Sequence, residues 1–208
     1  MAGMTPLSAT LWRDSADLAA AALGHPFVRG LADGSLPPDR FAAFIAQDAF
    51  FLDAFARAYA LALAACPDRL GIGAFADLLA GVRQELVLHA GYADRLGINL
   101  TTLTPAPATL AYTEFLLATA AVGGTGPACV AMTPCMRLYA HIGQSVAAEP
   151  SVGTYGDWIT TYADPSFDAL ARTLEELLDR YATDGERSKQ TYRRAMQLEL
   201  DFFTAALS

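Results

Sequence analysis

Lysine is almost missing from this chain: Lys189 stands alone, and the remaining basic residues are arginines. Net charge is −8, and no run of basic residues gathers anywhere. That distribution excludes nucleic acid as an expected partner, because phosphate backbones are met by clustered cations. Cysteine is scarce and odd in number, at positions 66, 129 and 135. The spacing fits neither a zinc motif nor a disulfide framework, which points to a reducing, cytoplasmic setting. Long uncharged apolar runs are also absent. The greasiest stretch, Ala49 to Cys66, contains Asp53 and Arg57, so it is expected as a buried helix and no membrane span is expected. The N-terminus lacks a basic segment, and Arg13, Asp14 and Asp17 interrupt its apolar residues, so no signal peptide is expected. Gly123–Gly126 is not followed by Lys-Ser/Thr, which makes it a turn and not a phosphate loop.

What is present is apolar and helical in rhythm. Hydrophobic residues make up 53% of 208 positions, enough for one domain with a full core over residues 1–208. Alanine is abundant and strand-type alternation is rare, so the expected class is all-α, a helical bundle. Expected helices cover about Ser8–Leu23, a short piece through Phe27 and Leu31, Pro38 to before Pro67, and Asp68–Leu96, with a break possible near Gly71–Gly73. Further helices follow Pro107 to Val122, Ala128 to Ala148, Tyr155 to Tyr162, the stretch after Asp164-Pro165, and the stretch after Asp184-Gly185. The connections are short, so consecutive helices should pack as neighbours.

Three residues sit oddly on these stripes. In the second long helix the apolar positions Phe41, Phe44, Ile45, Phe51, Leu52, Phe55 and Tyr59 recur every three or four residues, and Asp48 takes a place among them. In the last helix Glu199 does the same between Met196 and Phe203. Burying an ionised carboxylate costs several kcal/mol or shifts its pKa. Such placement calls for a partner or a task, and the plainest partner is one of the arginines. The third residue is Cys135, on the face of Met132, Leu138, Tyr139 and Ile142. Free cysteine is commonly a buried, inert hydrophobe, and Cys66 and Cys129 suit that role. Cys135 follows Pro134, a residue suited to a helix start, and a thiol near a helix N-terminus has its pKa lowered. One thiol and two inward acids fit covalent catalysis. Tyr112, Tyr139 and Tyr162 lie in apolar contexts, where rings either fill the core or stack on a flat ligand.

Glu85 and His89 form a Glu-x-x-x-His pair, whereas helical di-iron proteins use Glu-x-x-His. With three histidines and no second such motif, neither a metal nor any other cofactor is expected. His25, before Pro26, is read as a helix cap.

Taken in order, these segments resemble the TenA family, the thiaminase II enzymes, across nearly the whole chain. The resemblance rests on His25-Pro26-Phe27-Val28 with Gly34-Ser35-Leu36 and Phe41, on Gln47-Asp48 with Phe51-Leu52, and on the Glu85–His89 pair. It continues through Thr133-Pro134-Cys135 with Leu138-Tyr139, Tyr155 with Trp158-Ile159 and Tyr162, and Glu199 with Phe202-Phe203.

The resemblance implies a haem-oxygenase-like bundle without haem, usually a homotetramer. It implies hydrolysis of 4-amino-5-aminomethyl-2-methylpyrimidine, and more slowly of thiamin, to the hydroxymethylpyrimidine in thiamin salvage. Cys135 would be the nucleophile, Glu199 the proton donor and Asp48 the binder of the aminopyrimidine edge. Tyr112, Tyr139 and Tyr162 would line the pocket with Phe51. The family commonly has tyrosine where this chain has Phe51, so either activation of Cys135 is left to another group, Tyr162 or Tyr112, or the substrate differs. Ala49 and Phe203 also replace usual aromatics. Two other classes remain as alternatives: a helical metal-dependent oxidase, resting on Glu85 and His89, and a non-catalytic pyrimidine- or thiamin-binding regulator, resting on Phe51.

Overall fold

The computed structural model describes residues 5–148 and 154–208. Ten α-helices account for most of it: α1 (Leu7–Asp14), α2 (Ala16–Leu23), α3 (Pro26–Asp33), α4 (Pro38–Ala64), α5 (Arg69–Leu96), α6 (Pro107–Gly123), α7 (Thr125–Ala147), α8 (Gly156–Ala163), α9 (Pro165–Tyr181) and α10 (Glu186–Ala206). A 3₁₀ turn at Leu100–Thr102 precedes α6, and no strand occurs among the described residues. The all-α expectation holds. No helix among the described residues is long and apolar enough to cross a membrane.

Local chemistry sets most boundaries. Asp164 accepts a hydrogen bond from the Ser166 amide at 2.7 Å, with Pro165 opening α9, a side-chain cap plus a first-turn proline. Asp68 caps α5 in the same way through the Gly71 amide at 3.0 Å. His25 caps α3, its Nδ1 accepting from the Phe27 amide at 3.2 Å, as the sequence led us to expect. Two boundaries differ from expectation. The first helix is divided at Ser15 into α1 and α2. α5 runs unbroken through Gly71 and Gly73, because its cap at Asp68 satisfies the first turn and a long packed helix tolerates two glycines.

The organising element is α7. Of its 23 residues, 17 are buried, the pattern of a helix surrounded on all sides. α4, α6, α8, α9 and α10 all pack against it. Pro134 lies inside this helix and does not start it. Its ring removes one amide donor, but the helix is held in place by the packing around it. The consequence for Cys135 is a correction: the thiol sits in the middle of α7, far from the helix N-terminus, so the dipole gives it no help.

Arg137 ties α7 to α9. Its guanidinium donates to Asp168 at 2.7 Å and, through two nitrogens, to Glu175 at 2.8 and 2.5 Å. Ser8 ties α1 to the same helix, donating from its amide and hydroxyl to Asp179 at 2.7 and 2.8 Å. α8 approaches α7 at Gly143, where any Cβ would lie 2.4 Å from the Tyr162 carbonyl carbon and 2.6 Å from the Ala163 nitrogen. Only glycine lets the two backbones meet so closely, and that contact sets Tyr162 beside Tyr139, with ring centroids 4.9 Å apart.

Gly143→Ala is therefore expected to destabilise the protein by about 1–3 kcal/mol, the usual range for overpacking, as read by urea unfolding. Gly91→Ala, on α5 with nothing within 4 Å of the added carbon, serves as the control. It should be neutral or stabilising, by up to about 1 kcal/mol. Equal losses at both positions would contradict the close-approach account.

Candidate active site

Four long helices and one short one converge on a small internal cavity. Its wall consists of Asp48, Phe51, Leu52 and Phe55 from α4, Glu85 from α5, Cys135, Met136 and Tyr139 from α7, Tyr162 from α8 and Phe167 from α9. Its free volume is about 10 Å³, about one water's worth and far below the roughly 300–1,000 Å³ usual for drug-sized ligands, so the side chains of the wall must part to admit a ring. Most of the wall is aromatic or aliphatic, so an occupant is held by stacking and positioned by a few polar groups.

Asp48 is buried and receives a hydrogen bond from His89 Nε2 at 2.7 Å. His89 Nδ1 lies 2.9 Å from the backbone oxygen of Glu85. One neighbour is a carboxylate and the other a carbonyl, so both ring nitrogens face acceptors. Both must carry hydrogen, and His89 is an imidazolium. Burial works against that charge, but Asp48 and Glu85 outweigh it and lift the pKa to about 9. The partner of Asp48 is thus a histidine one helix away, not an arginine. With neither nitrogen lone pair free, His89 is a poor metal ligand. Among the described residues no three His, Cys, Asp or Glu side chains form a metal-holding group.

The second acid, Glu199, is buried on α10. Tyr112 donates to its Oε1 at 2.6 Å, and the Cys135 thiol donates to the same carboxyl group. Burial raises Glu199 to about 8 despite these two donors. Burial likewise pushes the Cys135 thiol well above its ordinary range, with Glu199, Glu85 and Asp48 adding to the effect. The resting sulfur is a protonated thiol bonded to a carboxyl group.

Glu85 is the third acid. Tyr162 donates to its Oε1 at 2.5 Å. Burial, then repulsion from Asp48, raise it to about 7, against the opposing pull of Tyr162 and His89.

Of the residues singled out in the sequence, Cys135, Asp48, Phe51, Tyr139 and Tyr162 reach the cavity wall together. Glu199 stands behind the sulfur. Tyr112 is not on the wall: it backs Glu199 and packs against Phe51, with centroids 4.8 Å apart, so its place is to orient the acid. Phe51 is an apolar neighbour as its identity dictates. What the sequence reasoning missed is that Glu85 lines this cavity and that His89 stands behind it, holding Asp48. Their i, i+4 spacing was the available signal, but nothing in it revealed that Asp48, 41 positions earlier, was the partner. Leu52, Phe55 and Phe167 were read as apolar stripe residues, and Met136 was not singled out.

Comparison with known proteins places the chain. Residues 12–208 match the model of the TENA/THI-4/PQQC family. An aminopyrimidine aminohydrolase from Halalkalibacterium halodurans is 35% identical over 206 residues, covering 96% of this chain and 90% of the relative. A crystal structure described as a TenA family transcription regulator, from Silicibacter, superposes with a TM-score of 0.90 at 29% identity, covering 96% of both chains. A domain of unknown function with a haem-oxygenase-like fold, from Shewanella denitrificans, superposes at TM-score 0.76 and 14% identity over 99% of this chain and 93% of its own, which shows the shared fold alone. Helix order, bundle and sequence agree, and the chain belongs to the TENA/THI-4/PQQC family.

Proposed function

We propose that the chain is a hydrolase of the thiaminase II type, an aminopyrimidine aminohydrolase that acts through a covalent adduct with Cys135. The carrying observation is the juxtaposition of a buried thiol, its hydrogen-bonded acid Glu199 and the Asp48–His89 pair around one small, ring-lined cavity. Relatives named aminopyrimidine aminohydrolase, among them the one at 35% identity, support the substrate class: 4-amino-5-aminomethyl-2-methylpyrimidine, with thiamin as a slower alternative, in thiamin salvage. The reading includes a homotetramer in a reducing, cytoplasmic setting, in keeping with three free cysteines.

The ring lies between the aromatic walls of Phe51, Tyr139 and Tyr162. Asp48 accepts hydrogen bonds from the amino edge, a match of carboxylate to amidine, and His89 holds that carboxylate in place. Glu199, protonated near neutral pH, gives its proton to the ring nitrogen beside the carbon under attack. The carboxylate left behind takes the proton of Cys135 as sulfur bonds to that carbon. One proton has moved from sulfur to nitrogen and Glu199 is again an acid. Activation needs no tyrosine hydroxyl at position 51, because the thiolate never has to exist in the resting enzyme. Glu199, aligned by Tyr112, supplies the base at the moment of addition.

The adduct is no longer aromatic. The lone pair of the ring's amino substituent can now push through the ring and expel ammonia from the exocyclic carbon, leaving a methylene and an amidinium facing Asp48. Water adds to the methylene, loses a proton, and the ring pair returns. The carbon–sulfur bond then breaks as Glu199 returns a proton to sulfur and recovers one from the ring nitrogen.

Cys135→Ala is expected to abolish turnover while leaving thermal unfolding near the wild type, as measured by hydroxymethylpyrimidine formation beside circular dichroism. Retained turnover would falsify the covalent route, and aminopyrimidine binding without product in the wild type would favour the regulator reading. Glu199→Gln should lower kcat by about 10²–10⁴, the usual span for a lost general acid, with a much smaller change in KM. In the wild type the rate should fall as pH rises through about 8, where Glu199 loses its proton. A rate that instead rises steadily through pH 9 would mean the acid form is not the working one.

A further inference from the structure

Beside the inner cavity lies a larger hollow, open to solvent, with a volume of about 280 Å³. The two share three side chains: Glu85, Met136 and Phe167. These form the partition between them. Only Glu85 is polar, and the residue is partly exposed while its carboxyl takes the Tyr162 hydrogen bond at 2.5 Å. A carboxylate has about four acceptor positions, and Tyr162 uses one. The mechanism above leaves Glu85 without a task.

Ring geometry supplies one. On the aminopyrimidine the aminomethyl arm is attached between the carbon bearing the amino group and the carbon that takes sulfur. If Asp48 holds the first and Cys135 attacks the second, the arm leaves the ring between them. Glu85 lines the same cavity as both residues and interacts electrostatically with each. The charge balance agrees. Asp48 and Glu85 line the cavity and the cation His89 is engaged by Asp48, so a cationic arm would find its counter-charge in Glu85.

We propose that Glu85 is a further catalytic residue, one that binds the aminomethyl group as its ammonium and then takes a proton from the water that replaces ammonia. The inference rests on the aminopyrimidine reading of the site. When the carbon–nitrogen bond breaks, its electron pair leaves with nitrogen as neutral ammonia. Water entering from the outer hollow bonds to the exocyclic carbon, and its proton passes to the Glu85 carboxylate. Glu85 then hands that proton to ammonia, which leaves as ammonium through the hollow. An aminomethyl cation and water have become a hydroxymethyl group and an ammonium ion, and Glu85 is restored. Its position near pH 7 suits a group that both accepts and returns a proton.

The test is chemical rescue. Glu85→Gln should lower hydrolysis of the aminomethylpyrimidine at least 100-fold, and azide, a nucleophile that needs no base, should raise turnover of that variant at least tenfold with azidomethylpyrimidine as product. A merely structural glutamate would not respond to azide, so an unrescued loss, or near-wild-type hydrolysis by Glu85→Gln, overturns the proposal. Should that variant fail to fold, Cys135→Ala protein serves, with Glu85 intact. It should bind the aminomethyl compound at least tenfold tighter than the uncharged 5-methyl analogue, and equal affinities overturn the ammonium contact. A wild-type protein that turns over no aminopyrimidine at all fails the reading beneath, which the same assays separate from a failure of Glu85 alone.

Discussion

A buried carboxylate is expensive, and this bundle contains three around one cavity. Each ion taken from water costs several kcal/mol after relaxation, and a helical core offers no free backbone donors to offset that. Asp48 is compensated by a histidinium whose other nitrogen is anchored to the backbone of the same α5 helix. Glu85 and Glu199 are compensated less, each by a tyrosine hydroxyl, and in return their protons are held more tightly. In the proposed reaction the two solutions divide the labour: the charged pair fixes a binding edge, while Glu85 and Glu199, both raised by burial, carry protons near neutral pH.

These groups can meet because α7 is packed on all sides. Cys135, Met136 and Tyr139 are presented from a helix that cannot rotate, with α4 and α10 bringing the acids from opposite flanks. The approach of α8 at Gly143 brings Tyr162 into reach of Glu85. Precision at the cavity thus depends on backbone spacing several residues away from the wall, and the Arg137 cluster fixes α9, which carries Phe167, against the same α7.

Much of this was legible in the sequence, and the reason is periodicity. A stripe that repeats every three or four residues identifies its intruders, so Asp48 and Glu199 stood out as inward acids before any coordinates. The caps at His25 and Asp164 were visible because capping is local. Partnerships between helices were not visible. Nothing in the order of residues says that His89 closes on Asp48, that Tyr112 backs an acid and leaves the wall to others, or that Pro134 sits inside a helix and leaves Cys135 far from its N-terminus. That last error came from treating proline as a boundary, a local rule that tertiary packing overrode. Glu85 was noticed only for its spacing to His89, because a polar residue between two cavities looks, in one dimension, like any other surface glutamate.

Phe51 has a further consequence, for the chemical durability of the sulfur. With a hydrocarbon ring beside it and an acid as its hydrogen-bond acceptor, the thiol of Cys135 stays protonated between turnovers. Oxidants and alkylating reagents attack thiolates far faster than thiols. The sulfur of the empty protein is therefore a poor target for peroxide, and in the proposed reaction it is unmasked only when a ring is present to accept the proton.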